Sequence, residues 1–237
     1  GTGNEYRTTL LWMFISNWID KPLSIAFSLY SNFVVEQKHG FNNMTYGLFA
    51  SDLVKGELLQ YAFGGPLVSG LIWIVRWGGE RFYLYVWGAT QTLVFAFMWI
   101  YPNFVQPLFN KFEVLKDEDL RMKIEALADE EKFPLTKLYQ IDGSKRSSHS
   151  NAYFFGFWKN KRIVIYDTLL TLSHDQILAV LCHELGHWKF NHITANLVIS
   201  SVHMFVLFWT FGKVMYSGRT SKDLVRAFGY GDGNAIM

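Results

Sequence analysis

FYLYVWGATQTLVFAFMWIY, residues 82–101, carries no charged side chain along its whole length. About 20 mostly apolar residues, rising 1.5 Å each, cross a hydrocarbon layer about 30 Å thick. The stretch predicts a membrane-spanning helix, and its length and lack of charge weigh against the core helix of a soluble domain. Residues 193–216 have the same character, with His203 inside and Lys213 near the end. Two further stretches are weaker. Residues 58–75 contain Gly64-Gly65-Pro66, which predicts a kink or a break. Residues 10–35 are interrupted by Asp20-Lys21-Pro22, which predicts a kinked span or a short span followed by an interfacial helix.

The composition agrees. Half of the 237 residues are hydrophobic and 18% are charged, against about 25% charged in a typical soluble domain. Trp73, Trp77, Tyr83, Tyr85, Trp99, Tyr101 and Tyr216 sit near the ends of the apolar runs. That is the pattern of an interfacial aromatic belt, although ordinary packing produces it too. A net charge of +2 with no basic patch gives no reason to expect nucleic acid as a partner. Cys182 is the single cysteine, so no internal disulfide exists. Lysines and arginines divide almost evenly between the two sides of the predicted spans, which leaves the orientation open.

Between residues 102 and 192 the chain becomes more charged. Asp117 to Lys132 predicts an amphipathic helix with Leu120, Ile124 and Leu127 on one face. Lys137 to Ile141 predicts a short strand. Residues 151–158 and 162–166 predict two more, joined as a hairpin at Lys159-Asn160-Lys161. Ser173 predicts the N-cap of a helix starting near His174. The expected fold class is therefore mainly α: a multi-span helical membrane protein with a small α+β region carrying a short hairpin. Its expected parts are membrane helices in 1–101, a catalytic region in 102–192, a transmembrane helix in 193–216, and a tail or loop in 217–237.

The predicted helix after Ser173 runs into His183-Glu184-Leu185-Gly186-His187. Positions i and i+4 lie about 40° apart around a helix, so His183 and His187 share a face and can hold one Zn²⁺. Glu184 flanks that face and suits the role of general base toward a water that the metal acidifies. Gly186 costs about 1 kcal/mol relative to alanine in a helix, which predicts a close approach to the backbone there. His192, nine residues beyond His183, is predicted on the opposite face of the same helix. His203 predicts an interhelical hydrogen bond, His149 a loop residue facing substrate or water, and Cys182 a small packing residue. A zinc protease needs a third protein ligand. No glutamate follows His187, and Asp223 and Asp232 lie beyond the last apolar run.

The chain resembles the type 1 CAAX prenyl protease family. The resemblance rests on NFVVEQKHGFN (32–42), PLFNKF (107–112), FPLTKLY (133–139), DGSKRSSHSNAYFFGFWKNKRIVIYDTLL (142–170) and LAVLCHELGHWKFNH (178–192). It implies a seven-span membrane zinc protease with a large intramembrane chamber, at the endoplasmic reticulum membrane and the inner nuclear membrane. The implied activity removes the last three residues after a prenylated cysteine. The implied partners are a farnesylated protein or peptide and membrane lipid. His183 and His187 then hold one zinc, Glu184 is catalytic, and a glutamate on a later helix is the third ligand. Asn151 and Ala152 match the start of the strand that lines the family's cleft. Asn151, Ala152, Tyr153 and Phe154 are the expected substrate contacts, in an edge strand or, equally, a core hairpin strand.

On this resemblance the chain is expected to be a fragment, inactive alone, with its third ligand beyond residue 237. Two other functions share these residues. One is a membrane zinc protease of broader quality-control type. The other is a non-catalytic membrane scaffold whose metal site is vestigial.

Overall fold

In water, apolar side chains that nothing covers are costly; in lipid they are not. The computed structural model describes residues 2–156 and 160–216, and it shows such side chains along its long helices. Residues 46–108 form one helical run of 63 residues. At 1.5 Å per residue that is about 95 Å, some three times the hydrocarbon thickness. The run turns back on itself. Helix α2 (Tyr46–Gly78) gives way at Gly79, whose φ of +51° lies in the left-handed region, and α3 (Phe82–Ile100) begins three residues later. Trp77 packs on Tyr85 across the turn, and Phe63 meets Phe97 further along. Helix α6 (His192–Tyr216) is the second run long and apolar enough to cross a membrane.

Of the kink and the break expected at each proline, the break is excluded. Helix α2 continues through Pro66, and helix α1 (Thr2–Tyr30) continues through Pro22 into a π-helical turn at Ser31–Glu36. Breaking a helix in lipid would strand several backbone groups, whereas an internal proline frees only one carbonyl. The charge in α1 is also answered. Lys21 pairs with Glu57 of α2, and Asn17 donates to Glu57 at 3.2 Å and to the Tyr61 hydroxyl at 2.8 Å.

The α+β region has four strands in the order β1-β2-β4-β3. Strand β1 (Phe112–Val114) runs antiparallel to β2 (Leu135–Ile141), β2 runs parallel to β4 (Lys161–Tyr166), and β3 (Ala152–Phe155) runs antiparallel to β4. The predicted hairpin is therefore β3–β4, with a shorter first strand. Gly156 leaves β3 at a φ of +114°, where a Cβ would collide with the Asn160 carbonyl oxygen. The expected turn and strand residues Phe157, Trp158 and Lys159 lie outside the described residues, as does the expected tail 217–237.

Helix α4 (Glu118–Glu130) starts at Asp117, whose side chain accepts from the Leu120 amide at 2.9 Å. That amide, more than His174, holds the Asp117 carboxyl below its usual range. Helix α5 (His174–Lys189) starts at Ser173 with a full capping box. Leu120 and Ile124 of α4, Ile177, Leu181 and Leu185 of α5, and Leu138, Ala152, Ile163 and Ile165 of the sheet form one buried core. Leu127 is only partly buried, and Ala128 takes the innermost place one position on.

The chain forms two compact units, residues 1–63 with 97–193, and residues 64–96 with those from 194 on. The first contains the sheet and α5. In the second, Gly212 of α6 packs against Tyr83 of α3, and the Trp87 indole donates to the Ser201 carbonyl at 3.0 Å. The architecture is thus a helical membrane protein with a small α+β region, as expected.

Candidate metal centre

Helix α5 divides its faces sharply. Ile177, Leu181 and Leu185 recur every four residues and anchor it to the core. His183 and His187 each stand two positions past a buried leucine, about 200° round the helix and so on the opposite face. There His187 Nε2 lies 3.1 Å from His183 Nε2, with the rings nearly perpendicular at 83°. Two nitrogens on one tetrahedral zinc, each about 2.0–2.1 Å away, stand about 3.3 Å apart. The pair therefore fits a shared metal ion. Glu184 is half-buried beside them and makes no hydrogen bond among the described residues.

Three expectations are corrected here. His192 is not on the far side of α5. The helix ends at Lys189, Asn191 adopts a left-handed φ of +54°, and α6 restarts at His192. The reversal brings His192 Nδ1 to 2.8 Å from His187 Nδ1. The asparagine, which tolerates the left-handed region better than most residues, was the one signal of this in the sequence. Among the described residues nothing approaches Gly186: a Cβ there would meet none of their atoms within 4 Å. Cys182 is exposed and not a packing residue, because it lies off the Leu181–Leu185 stripe.

His203 finds no hydrogen-bond partner among the described residues. No group of three potential ligating side chains converges among them either. Asp223 and Asp232 lie outside them.

Among the described residues strand β3 takes the end of the sheet, pairing only with β4. The Tyr166 amide donates to the Asn151 carbonyl at 3.0 Å, which makes 151/166 a hydrogen-bonded pair. Antiparallel alternation then points the backbone groups of Tyr153 toward β4 and those of Ala152 and Phe154 to the open edge. The Ala152 amide is already engaged by Asn151 Oδ1 at 2.9 Å, so among the described residues Phe154 offers the free donor. The Phe154 ring packs edge-on against Phe133, which also meets Trp188 of α5. Tyr153 points elsewhere. Its hydroxyl accepts from Gln106 Nε2 at 2.5 Å, and burial raises its pKa.

The loop entering β3 is pinned from several sides. Arg146 grips Asp52 with two bonds, at 2.7 and 3.0 Å, and donates to the Phe109 carbonyl at 2.8 Å. His149, expected to face substrate or water, meets Glu36 at 3.0 Å and stacks on Phe41. At the other end of the strand Lys161 Nζ donates to the Gly156 carbonyl at 2.7 Å, and burial lowers its pKa. These ties hold the edge strand at both ends.

Family models match both halves of the chain. Residues 1–111 match the CAAX prenyl protease N-terminal region of five membrane helices, and residues 114–234 match peptidase family M48. The chain belongs to peptidase family M48.

Its relatives include an Arabidopsis thaliana CAAX prenyl protease 1 homolog, 49% identical over 230 residues, which is 96% of this chain and 53% of that protein. The Homo sapiens homolog is 37% identical, covering all of this chain and 58% of its own length. A crystal structure of S. mikatae Ste24p superposes with a TM-score of 0.83 at 41% identity, covering 94% of this chain and 51% of that one. The M48 chain thus spans about half the length of the relatives it matches. The N-terminal match and the apolar runs make it a multi-pass membrane protein.

Proposed function

We propose that this M48 chain carries the catalytic residues of a zinc endopeptidase that removes the C-terminal tripeptide from farnesylated CAAX proteins. Its place is the endoplasmic reticulum membrane, with the inner nuclear membrane as a second site. The carrying observation is the pair of imidazole nitrogens 3.1 Å apart on the open face of α5. His183 and His187 hold one zinc, and a third protein ligand comes from outside the described residues. When bound, zinc supplies an acidified water with a pKa near 7 and polarises the scissile carbonyl.

The protein's own residues do the rest. Glu184 accepts the proton as water adds to the carbonyl carbon, and it returns that proton to the amine as the C–N bond breaks. The edge of β3 aligns the peptide, with the Phe154 amide donating to a substrate carbonyl. Asn151, Ala152 and Tyr153 place that donor: Asn151 occupies the neighbouring amide, and Tyr153 roots the strand through Gln106.

The test uses the purified full-length protein with a farnesylated and an unprenylated peptide. Glu184→Gln is expected to lower cleavage by about 10²–10⁴-fold, the worth of general-base catalysis, while still binding zinc. His183→Ala and His187→Ala are expected to lose both metal and activity. Near-parental cleavage by Glu184→Gln would remove the general-base assignment. Equal cleavage of the two peptides would favour the quality-control function over CAAX processing.

A further inference from the structure

His187 has a neighbour on each ring nitrogen. Nε2 faces His183 Nε2, and Nδ1 lies 2.8 Å from His192 Nδ1. At that distance two lone pairs repel and two N–H groups collide, so one nitrogen donates and the other accepts. If Nε2 of His187 gives its lone pair to a metal, its proton sits on Nδ1. Nδ1 of His192 must then be the acceptor.

We propose that His192 is a positioning residue of this metal centre: it accepts the Nδ1–H of His187 and so fixes the tautomer and ring angle that present Nε2 to a divalent metal. The proposal rests on the zinc assignment above and extends it to a residue outside the HELGH stretch.

Three observations carry it. Among the described residues, His192 is the one hydrogen-bond partner recorded at His187 Nδ1. The His192 ring is held in place by the left-handed turn at Asn191 and by stacking on Phe190 at 5.9 Å and 23°. Finally, His192 reaches His187 on the nitrogen remote from His183, and no three-ligand cluster forms among the described residues, so His192 supports a ligand without being one. Histidines that bind metal commonly donate their second N–H to such a partner, and losing it costs about 10–100-fold in metal affinity.

The experiment measures zinc affinity by chelator competition in the purified full-length protein, with His192→Met and His192→Gln. Methionine keeps the bulk without a strong acceptor, while glutamine restores an acceptor oxygen. His192→Met is expected to weaken zinc binding by about 10–100-fold, and His192→Gln to stay within about threefold of the parent. The cobalt-substituted protein should show the same ranking, with its visible absorption shifted in the methionine variant and restored in the glutamine variant. Parental affinity in His192→Met overturns the proposal. So does equal weakening in both variants, or failure of both to fold, since each makes His192 merely structural. A parent protein that binds no zinc would instead remove the zinc assignment itself.

Discussion

Helices α5 and α6 are separated by only two residues, Phe190 and Asn191, yet they meet opposite surroundings. Helix α5 buries Ile177, Leu181 and Leu185 to 3% exposure or less. Helix α6 is more apolar but buries only Gly212, leaving Val198 at 57%, Ile199 at 65% and Val202 at 58% exposure. In one helix the apolar stripe is satisfied by protein; in the other the described residues leave it uncovered, which is costly in water but not in lipid, a medium as apolar as leucine. A site needs one polar face on a fixed support. Only α5 offers that, and the histidine pair lies there.

The sharpest way to break this contrast is to delete one branched side chain from each helix. Leu181→Ala removes core volume and should destabilise by about 2–5 kcal/mol. Val202→Ala changes a side chain that the described residues leave exposed and should stay within about 0.5 kcal/mol. Thermal unfolding of the two detergent-solubilised variants checks both values. A comparable loss in Val202→Ala would mean that this face of α6 packs against protein, and the contrast would fail.

A smaller effect is expected at the open edge beside α5. Phe154 contributes a ring to the core and an amide to the edge, and two variants separate them. Phe154→Ala and Phe154→Pro should lose similar stability, because both lose the contact with Phe133 and the Phe154 amide is not part of the β3–β4 ladder. Only proline removes the donor. Turnover of a farnesylated peptide should fall about tenfold further in Phe154→Pro than in Phe154→Ala, the worth of one hydrogen bond. Equal turnover by the two would show that substrate does not use this amide.

The sequence disclosed what depends on periodicity and composition. The apolar run 82–101, the apolar face of Leu120 and Ile124, the Ser173 cap and the i, i+4 histidines all follow from one local rule each. What it concealed depends on competition between rules. Pro66 and Pro22 left a kink or a break open, and the choice is made by lipid, in which a broken helix is costlier than a bent one. Strand β1 is three residues long and exists only because β2 pairs with it. Its residues 112–114 carry no pattern of their own. The meeting of His187 with His192 was hidden for the same reason, since helical extrapolation holds only until a residue leaves the helical region.

That residue is Asn191, and it supports the smallest of these predictions. Were α5 to continue unbroken, His192 would lie about 140° round from His187, out of reach. The left-handed φ of +54° at Asn191 instead ends one helix, starts the next and folds His192 back. A residue with a Cβ pays about 1 kcal/mol for that conformation; asparagine pays less, and glycine almost nothing. Asn191→Ala should therefore lower unfolding free energy by up to about 1 kcal/mol, whereas Asn191→Gly should stay within a few tenths of the parent. Calorimetric unfolding of the two variants in detergent reads the difference directly. If alanine and glycine proved equally stable, the joint would not be held in the left-handed region, α5 and α6 would be free to run on as one helix, and the distinction between a protein-packed and a lipid-facing helix would lose its boundary.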